Sequence, residues 1–227
     1  MKEEQITPLS LTQRKNMRRN DGLATRSKIL EVAKKMFAMN SFEEVSSKEI
    51  AKQANTNSAA VNYYFGSKEG IYEEVLIDAH NQIMNMKQLE DIILASMPPE
   101  EKLRAILLYF LKVTSNISKL WGIGVLLRAI SSPSHLGVEL MPTIILPKIY
   151  LLRNLIQEIT SFPTDSKQLQ RATSFVLLPF IAHILSPEAL RNTNPQITTF
   201  GNEDTLEDMF SYCISGLYAL RDKYSNM

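Results

Sequence analysis

A chain of 227 residues, 44% hydrophobic and 22% charged, with ten Pro and eight Gly, has the composition of a globular protein with a sizeable core, which excludes a disordered or fibrous one. The single Cys213 excludes an internal disulfide, and three histidines without paired spacing give no metal site and no cofactor to expect. The net charge of +1 hides an asymmetry: residues 1–70 carry 12 Lys and Arg against 8 Asp and Glu, whereas residues 71–227 carry 13 against 16. In chain order, residues 1–22 are polar and include Arg14, Lys15, Arg18 and Arg19 without an apolar period, which reads as a flexible basic arm. From Thr25 to Met39, Ile29, Leu30, Ala33, Met36 and Phe37 form one stripe of an amphipathic helix that Asn40-Ser41 stops.

Ser46-Ser47-Lys48-Glu49 matches a capping box, so a second helix starts near Ser47. Asn55-Thr56-Asn57 interrupts it, and a third short helix follows from Ser58 to about Phe65. Gly66-Ser67 ends that helix and caps the next. Two short helices joined by a four-residue turn and braced by a preceding helix fit a helix-turn-helix, whose second helix enters the DNA major groove. Asn55 stands where such a turn needs a positive φ. The same pattern also fits helical hairpins that never touch nucleic acid. Phe37, Ile50, Val61 and Phe65 are expected to be core.

The runs from Phe42 to Ala51 and from Val61-Asn62-Tyr63-Tyr64-Phe65-Gly66-Ser67-Lys68-Glu69-Gly70 to Tyr72 resemble the N-terminal signature of the TetR family of regulators, over roughly residues 24–75. The chain departs from that signature at Asn55, in place of the usual turn glycine, and at Asn62, in place of a common aromatic. The resemblance implies an all-α protein: an N-terminal three-helix helix-turn-helix DNA-binding domain, residues 23–70, followed by a larger helical ligand-binding and dimerisation domain, residues 71–227. It implies that the Tyr63 hydroxyl meets a phosphate, where the alternative is a ring packed on the first helix. Lys68, at a helix N-terminus, reads as a phosphate clamp, where the alternative is a solvated lysine. Asn57, Ser58, Ala59 and Asn62 head the recognition helix, within reach of base edges, while Ser47 and Lys48 suit backbone phosphate. The basic arm suits a minor groove or phosphates, or is a solubilising tail with no role on DNA.

Beyond Gly70 the sequence predicts helices at 67–95, 99–117, 119–131, 137–160, 166–185 and 203–223, with Pro147 and Pro179 kinking or breaking theirs. Leu206, Met209, Phe210, Cys213, Leu217 and Leu220 form an apolar seam, and Phe175 to Leu185 is apolar nearly all round. Such faces bury either against a second copy of the chain or within one subunit; the family resemblance implies a homodimer through about 166–185 and 203–223. Leu120 to Ser134 is similar to the body of a TetR subgroup called CecR-like. A mainly apolar pocket for an unknown small molecule is expected from Trp121, Arg128, His135, Met141, Tyr150, Phe175, Phe180 and His183, each of which has ordinary core or surface placement as its alternative.

The function expected is a transcription regulator, a repressor binding a palindromic operator in double-stranded DNA as a dimer and released by a small apolar ligand. The alternative is a ligand-independent or nucleoid-associated DNA-binding dimer. An enzyme is not expected, because GxSxG, HExxH, Walker A and GxGxxG patterns are absent. The polar opening residues and the lack of eighteen uninterrupted apolar residues point to a cytoplasmic protein without a membrane partner.

Overall fold

The computed structural model describes residues 11–114, 120–131, 133–185 and 203–225. Helix α1, Leu11–Met39, buries Ile29, Ala33, Met36 and Phe37, the stripe read from the sequence. It starts well before that stripe. Residues 11–22, expected to be a non-helical arm, are helix, because Gln, Arg, Lys and Met extend a helix without any apolar period to announce it. Residues 1–10 of the expected arm lie outside the described residues.

Helix α2, Ser47–Gln53, opens on the capping box: Ser46 Oγ accepts the Glu49 N–H at 3.2 Å, and Glu49 Oε2 accepts the Ser46 N–H at 3.2 Å. Its end turns through Asn55 at φ 52°, with the Thr56 N–H donating to the Ala51 carbonyl at 2.9 Å. Helix α3, Ser58–Phe65, follows after this turn, and Gly66 at φ 74° ends it. Helix α4, Lys68–Ile83, then starts so tightly that a Cβ on Gly70 would lie 2.1 Å from the Phe65 carbonyl oxygen, so only glycine fits there. The chain divides after Val75 into two compact units. The sequence reading put the boundary after Gly70, but the first turns of α4 supply Ile71, Tyr72 and Val75 to the first core, where Phe37, Phe42 and Tyr72 rings meet at 4.8–6.3 Å.

In the second unit, α5 spans Met86–Leu94, α6 Pro99–Thr114, α7 Trp121–Ser131, α8 His135–Thr160, α9 Lys167–Leu185 and α10 Glu203–Ser225. The helix expected at 67–95 is two helices. Asn85 breaks it by capping α5 through its own Oδ1, and its N–H donates to the Tyr109 hydroxyl at 2.9 Å, so a side chain of α6 satisfies the break. Pro147 and Pro179, expected to kink or break helices, sit within α8 and α9, as does Pro142, and both helices run through them. Residues 115–117 and 119, expected to be helical, and the loop expected over 187–201 lie outside the described residues. No strand occurs among the described residues.

The core of this unit is made by α6, α8, α9 and α10, with Leu103, Ile106 and Leu107 against Leu152, Leu155 and Ile156, and with Leu169, Val176 and Phe180 closing the other side. The apolar seam of α10 turns inward: Leu206, Cys213 and Leu217 are buried in their own subunit and join this core. Helix α8 is long and apolar enough by length and mean hydropathy to cross a membrane, and here it packs on α5, α6, α9 and α10. Helix α7 lies against the second half of α4 so closely that a Cβ on Gly122 would be 2.7 Å from the Ala79 Cα; the Gly122 N–H donates to Gln82 Oε1 at 2.9 Å.

The left-handed turn at Asn55 gives a test. A β-branched residue there is strained by about 1–2 kcal/mol whereas glycine is not. In urea unfolding of the full chain followed through the N-terminal unit, Asn55→Val should lower the midpoint and Asn55→Gly should leave it unchanged or raise it; equal midpoints for the two would show that the turn imposes no such conformation.

Candidate nucleic-acid interface and ligand cavity

Helix α3 has only eight residues, and its two sides are sharply different. Val61 and Phe65 are buried, while Ser58, Ala59, Asn62 and Tyr63 are exposed and fall at i, i+1, i+4 and i+5, one continuous outward face. Tyr63 is 82% exposed, so its ring is not packed on α1, and Tyr64 stands edge-on to it at 5.0 Å. The Tyr64 hydroxyl in turn lies where a Cβ on Gly22 would come within 3.3 Å, so α1 meets α3 without a side chain at that point. Arg26 of α1 holds Glu74 of α4 at 2.6 Å and places its guanidinium 4.8 Å from the Phe65 ring centre.

Two of the expected DNA contacts carry a second duty. Asn57 is exposed, but its Oδ1 accepts the Ala60 N–H at 2.8 Å as the cap of α3, which leaves the amide NH2 as the group facing outward. Lys68 is half-buried; its Nζ donates to the Phe42 carbonyl at 3.0 Å and stands 3.9 Å above the Phe42 ring. The ammonium retains two further donors, so Phe42 fixes its position without exhausting it. Lys48 is exposed beside the capping box and Ser47 is half-buried. The side chains of Arg14, Lys15, Arg18 and Arg19 lie outside the described residues.

The second unit contains an apolar cavity of about 180 Å³ walled by Ile83 of α4, Met84 just after it, Phe110 of α6, Ile123 and Leu126 of α7, Met141 and Ile145 of α8, and Phe180 of α9, among others. Of the eight expected pocket residues it takes two, Met141 and Phe180. Trp121 is half-buried at the start of α7, Arg128 is exposed, and His135 is exposed and faces Glu139 at 3.4 Å. Tyr150 lines a separate shallow groove between α8 and α9, and Phe175 lies on the outer face of α9. The physical reason is that these five have large polar groups or outward helix positions, whereas the wall is built from aliphatic residues on the inner faces. His183 lies on α9, with its side chain outside the described residues.

Sequence reasoning missed the polar group of that wall, His80. Its Nδ1 is 2.9 Å from Lys148 Nζ, which also donates to Asn81 Oδ1 at 2.9 Å. Both are buried, Lys148 to 3% exposure. Burial, with the neighbouring Lys148 charge adding to it, holds the imidazole down to about 4, and burial pulls the ammonium down to about 8. The only sequence signal was Lys148 itself, the one charged residue between Met141 and Leu152.

Outside the core, α9 and α10 present Phe175, Leu178 and Tyr212 along an open groove of about 1120 Å³, and Gly216 faces open space there.

Residues 29–75 match the model of the bacterial regulatory proteins of the tetR family, which are the residues of the α1–α4 reader. Over those residues the chain is similar to the TetR family of transcriptional regulators. The chain is 26% identical over 136 residues to the Bacillus subtilis (strain 168) protein named Probable HTH-type transcriptional regulator YttP, a match over 60% of this chain and 65%, less than two thirds, of that protein. Its fold is that of HlyIIR, a hemolysin II transcriptional regulator (24% identity, TM-score 0.53, covering 84% of this chain and 97% of that one). It is equally that of FadR from Bacillus subtilis in complex with stearoyl-CoA (15% identity, TM-score 0.59, covering 84% and 96%).

The depressed His80 sets a pH dependence. Between pH 6.5 and about 4 the unfolded chain's imidazole takes a proton that the folded one refuses, so acidification through this window costs stability. His80→Gln, which keeps an acceptor for Lys148, should therefore lose less stability than the wild type between pH 6.5 and 4.5 in denaturant unfolding; identical losses would mean His80 is not held neutral.

Proposed function

We propose that this chain is a cytoplasmic repressor that binds a palindromic operator as a homodimer and leaves it when a small apolar molecule occupies the second unit. The observation that carries the DNA part is the outward face of α3: Ser58, Ala59, Asn62 and Tyr63 stand free on one side because Val61 and Phe65 hold the other. A helix of this size inserted in the major groove puts Asn62 within reach of the adenine edge and the Ala59 methyl near a thymine methyl. Tyr63, Lys68 and Lys48 take phosphates, with Ser47 adding its hydroxyl, and the Asn57 amide and Ser58 hydroxyl meet the first bases. One such reader contacts few bases; two of them, about 34 Å apart along the duplex, read a palindrome.

The outer face of α9 and α10 supports the homodimer. Phe175 is 57% exposed and Tyr212 79% exposed, beside Gly216, where the bare backbone admits close approach of another helix. The apolar cavity supports the ligand. That FadR from Bacillus subtilis is seen with stearoyl-CoA supports ligand response in this fold. For release, the ligand must bind the DNA-free arrangement more tightly than the DNA-bound one.

Selection of bound duplexes from a random pool by the full chain should enrich a palindrome; enrichment of no sequence would overturn the reading. On the selected operator, Asn62→Ala should cost about 1–3 kcal/mol, roughly 5- to 150-fold, and relax preference at one position. Lys48→Ala should weaken all duplexes alike and lower the salt slope by about 1. If Asn62→Ala weakens every sequence equally, α3 does not read bases.

For the dimer, sedimentation of Phe175→Glu and Gly216→Phe variants should show monomers with the helical spectrum of the wild type. A dimer that survives both changes would place the interface elsewhere.

A further inference from the structure

The cavity wall is apolar except at His80, and the way that ring is held decides what the cavity takes. Lys148 has no acceptor lone pair while charged, so its contact with His80 Nδ1 at 2.9 Å makes Nδ1 the acceptor. A neutral imidazole then carries its proton on Nε2. Among the described residues nothing accepts that proton, and the ring lines the cavity, so the wall offers one N–H donor in an otherwise aliphatic lining. Behind it stands a cation that is 3% exposed, and its partners among the described residues are two neutral acceptors, His80 Nδ1 and Asn81 Oδ1, with no carboxylate. A buried positive charge without a counter-charge is costly, and an anion brought near it recovers part of that cost.

The cavity volume limits the rest of the molecule. At about 180 Å³ it is slightly larger than the roughly 150 Å³ apolar cavity known to take benzene. It suits a body of about six to eight carbons rather than a long acyl chain.

We infer that the cavity binds a compact apolar carboxylate, with the His80 Nε2–H donating to the carboxylate and Lys148 supplying the counter-charge through the ring. This rests on the reading above that the cavity is the ligand site, and it adds the chemical class. The hydrophobic body fills the space between Ile123, Met141 and Phe180, and the acidic head lies at the α4 wall.

The test is calorimetric titration of the full chain at pH 7 with octanoate and benzoate, each beside its neutral counterpart, 1-octanol and benzyl alcohol, and with palmitate as the long-chain probe. In the wild type each carboxylate should bind at least about tenfold tighter than its alcohol, and in Lys148→Met that advantage should disappear while the alcohols still bind. Palmitate should bind no tighter than octanoate. His80→Phe, which removes the donor and occupies the space beside it, should weaken all of the short probes. Alcohols that bind as well as the carboxylates in the wild type would overturn the charge assignment and leave the ligand cavity standing. Failure of all the probes at millimolar concentration would remove both, and tighter binding of palmitate than octanoate would overturn the size limit.

Discussion

An eight-residue helix does not persist in water by itself, because the cost of starting a helix exceeds what two turns return. Helix α3 exists because Val61 and Phe65 are buried where it packs on α1 and α2. That burial also fixes its rotation. Once positions 61 and 65 face inward, positions 58, 59, 62 and 63 face out by helical geometry, and no separate device is required to aim them. The surrounding details hold the same registration: the Ser46–Glu49 box starts α2, the Asn55 turn sets the angle to α3, and Gly70 lets α4 begin against the Phe65 carbonyl.

These parts were legible because each is local. A capping box is a spacing of three residues, a left-handed turn selects Asn or Gly, and the α1 stripe repeats every turn. What depends on residues distant in sequence was not legible. The break at Asn85 is satisfied by Tyr109, 24 residues away, and the apolar seam of α10 gives no sign of which neighbour it will face. The inner end of α1 was visible and its outer end was not, since a helix polar on all sides carries no period. In the cavity, Met141 and Phe180 were found because large apolar residues on helices are common lining. His80 and Lys148 were missed because they meet across 68 residues, and each alone looks like an ordinary polar interruption.

The two units therefore use opposite strategies with polar groups. In the reader, the polar side chains at the head of α3 are exposed, and Asn57 is satisfied locally by capping its own helix. In the second unit one cation is drawn inside with neutral partners only, a costly arrangement in a core that is otherwise aliphatic. A charge kept there at such cost is poised to discriminate among occupants of the neighbouring space.

The close contact of Gly122 with Ala79 also bears on how mutational maps of this chain are read. With no room for even a methyl group between two backbones, every substitution at position 122 forces α7 away from the stretch of α4 that carries His80 and Ile83. A deep mutational scan would mark this glycine as intolerant as strongly as any residue in contact with an effector. Position 122 would thus score as functional although it has no side chain with which to recognise anything, and its intolerance measures the distance between two helices.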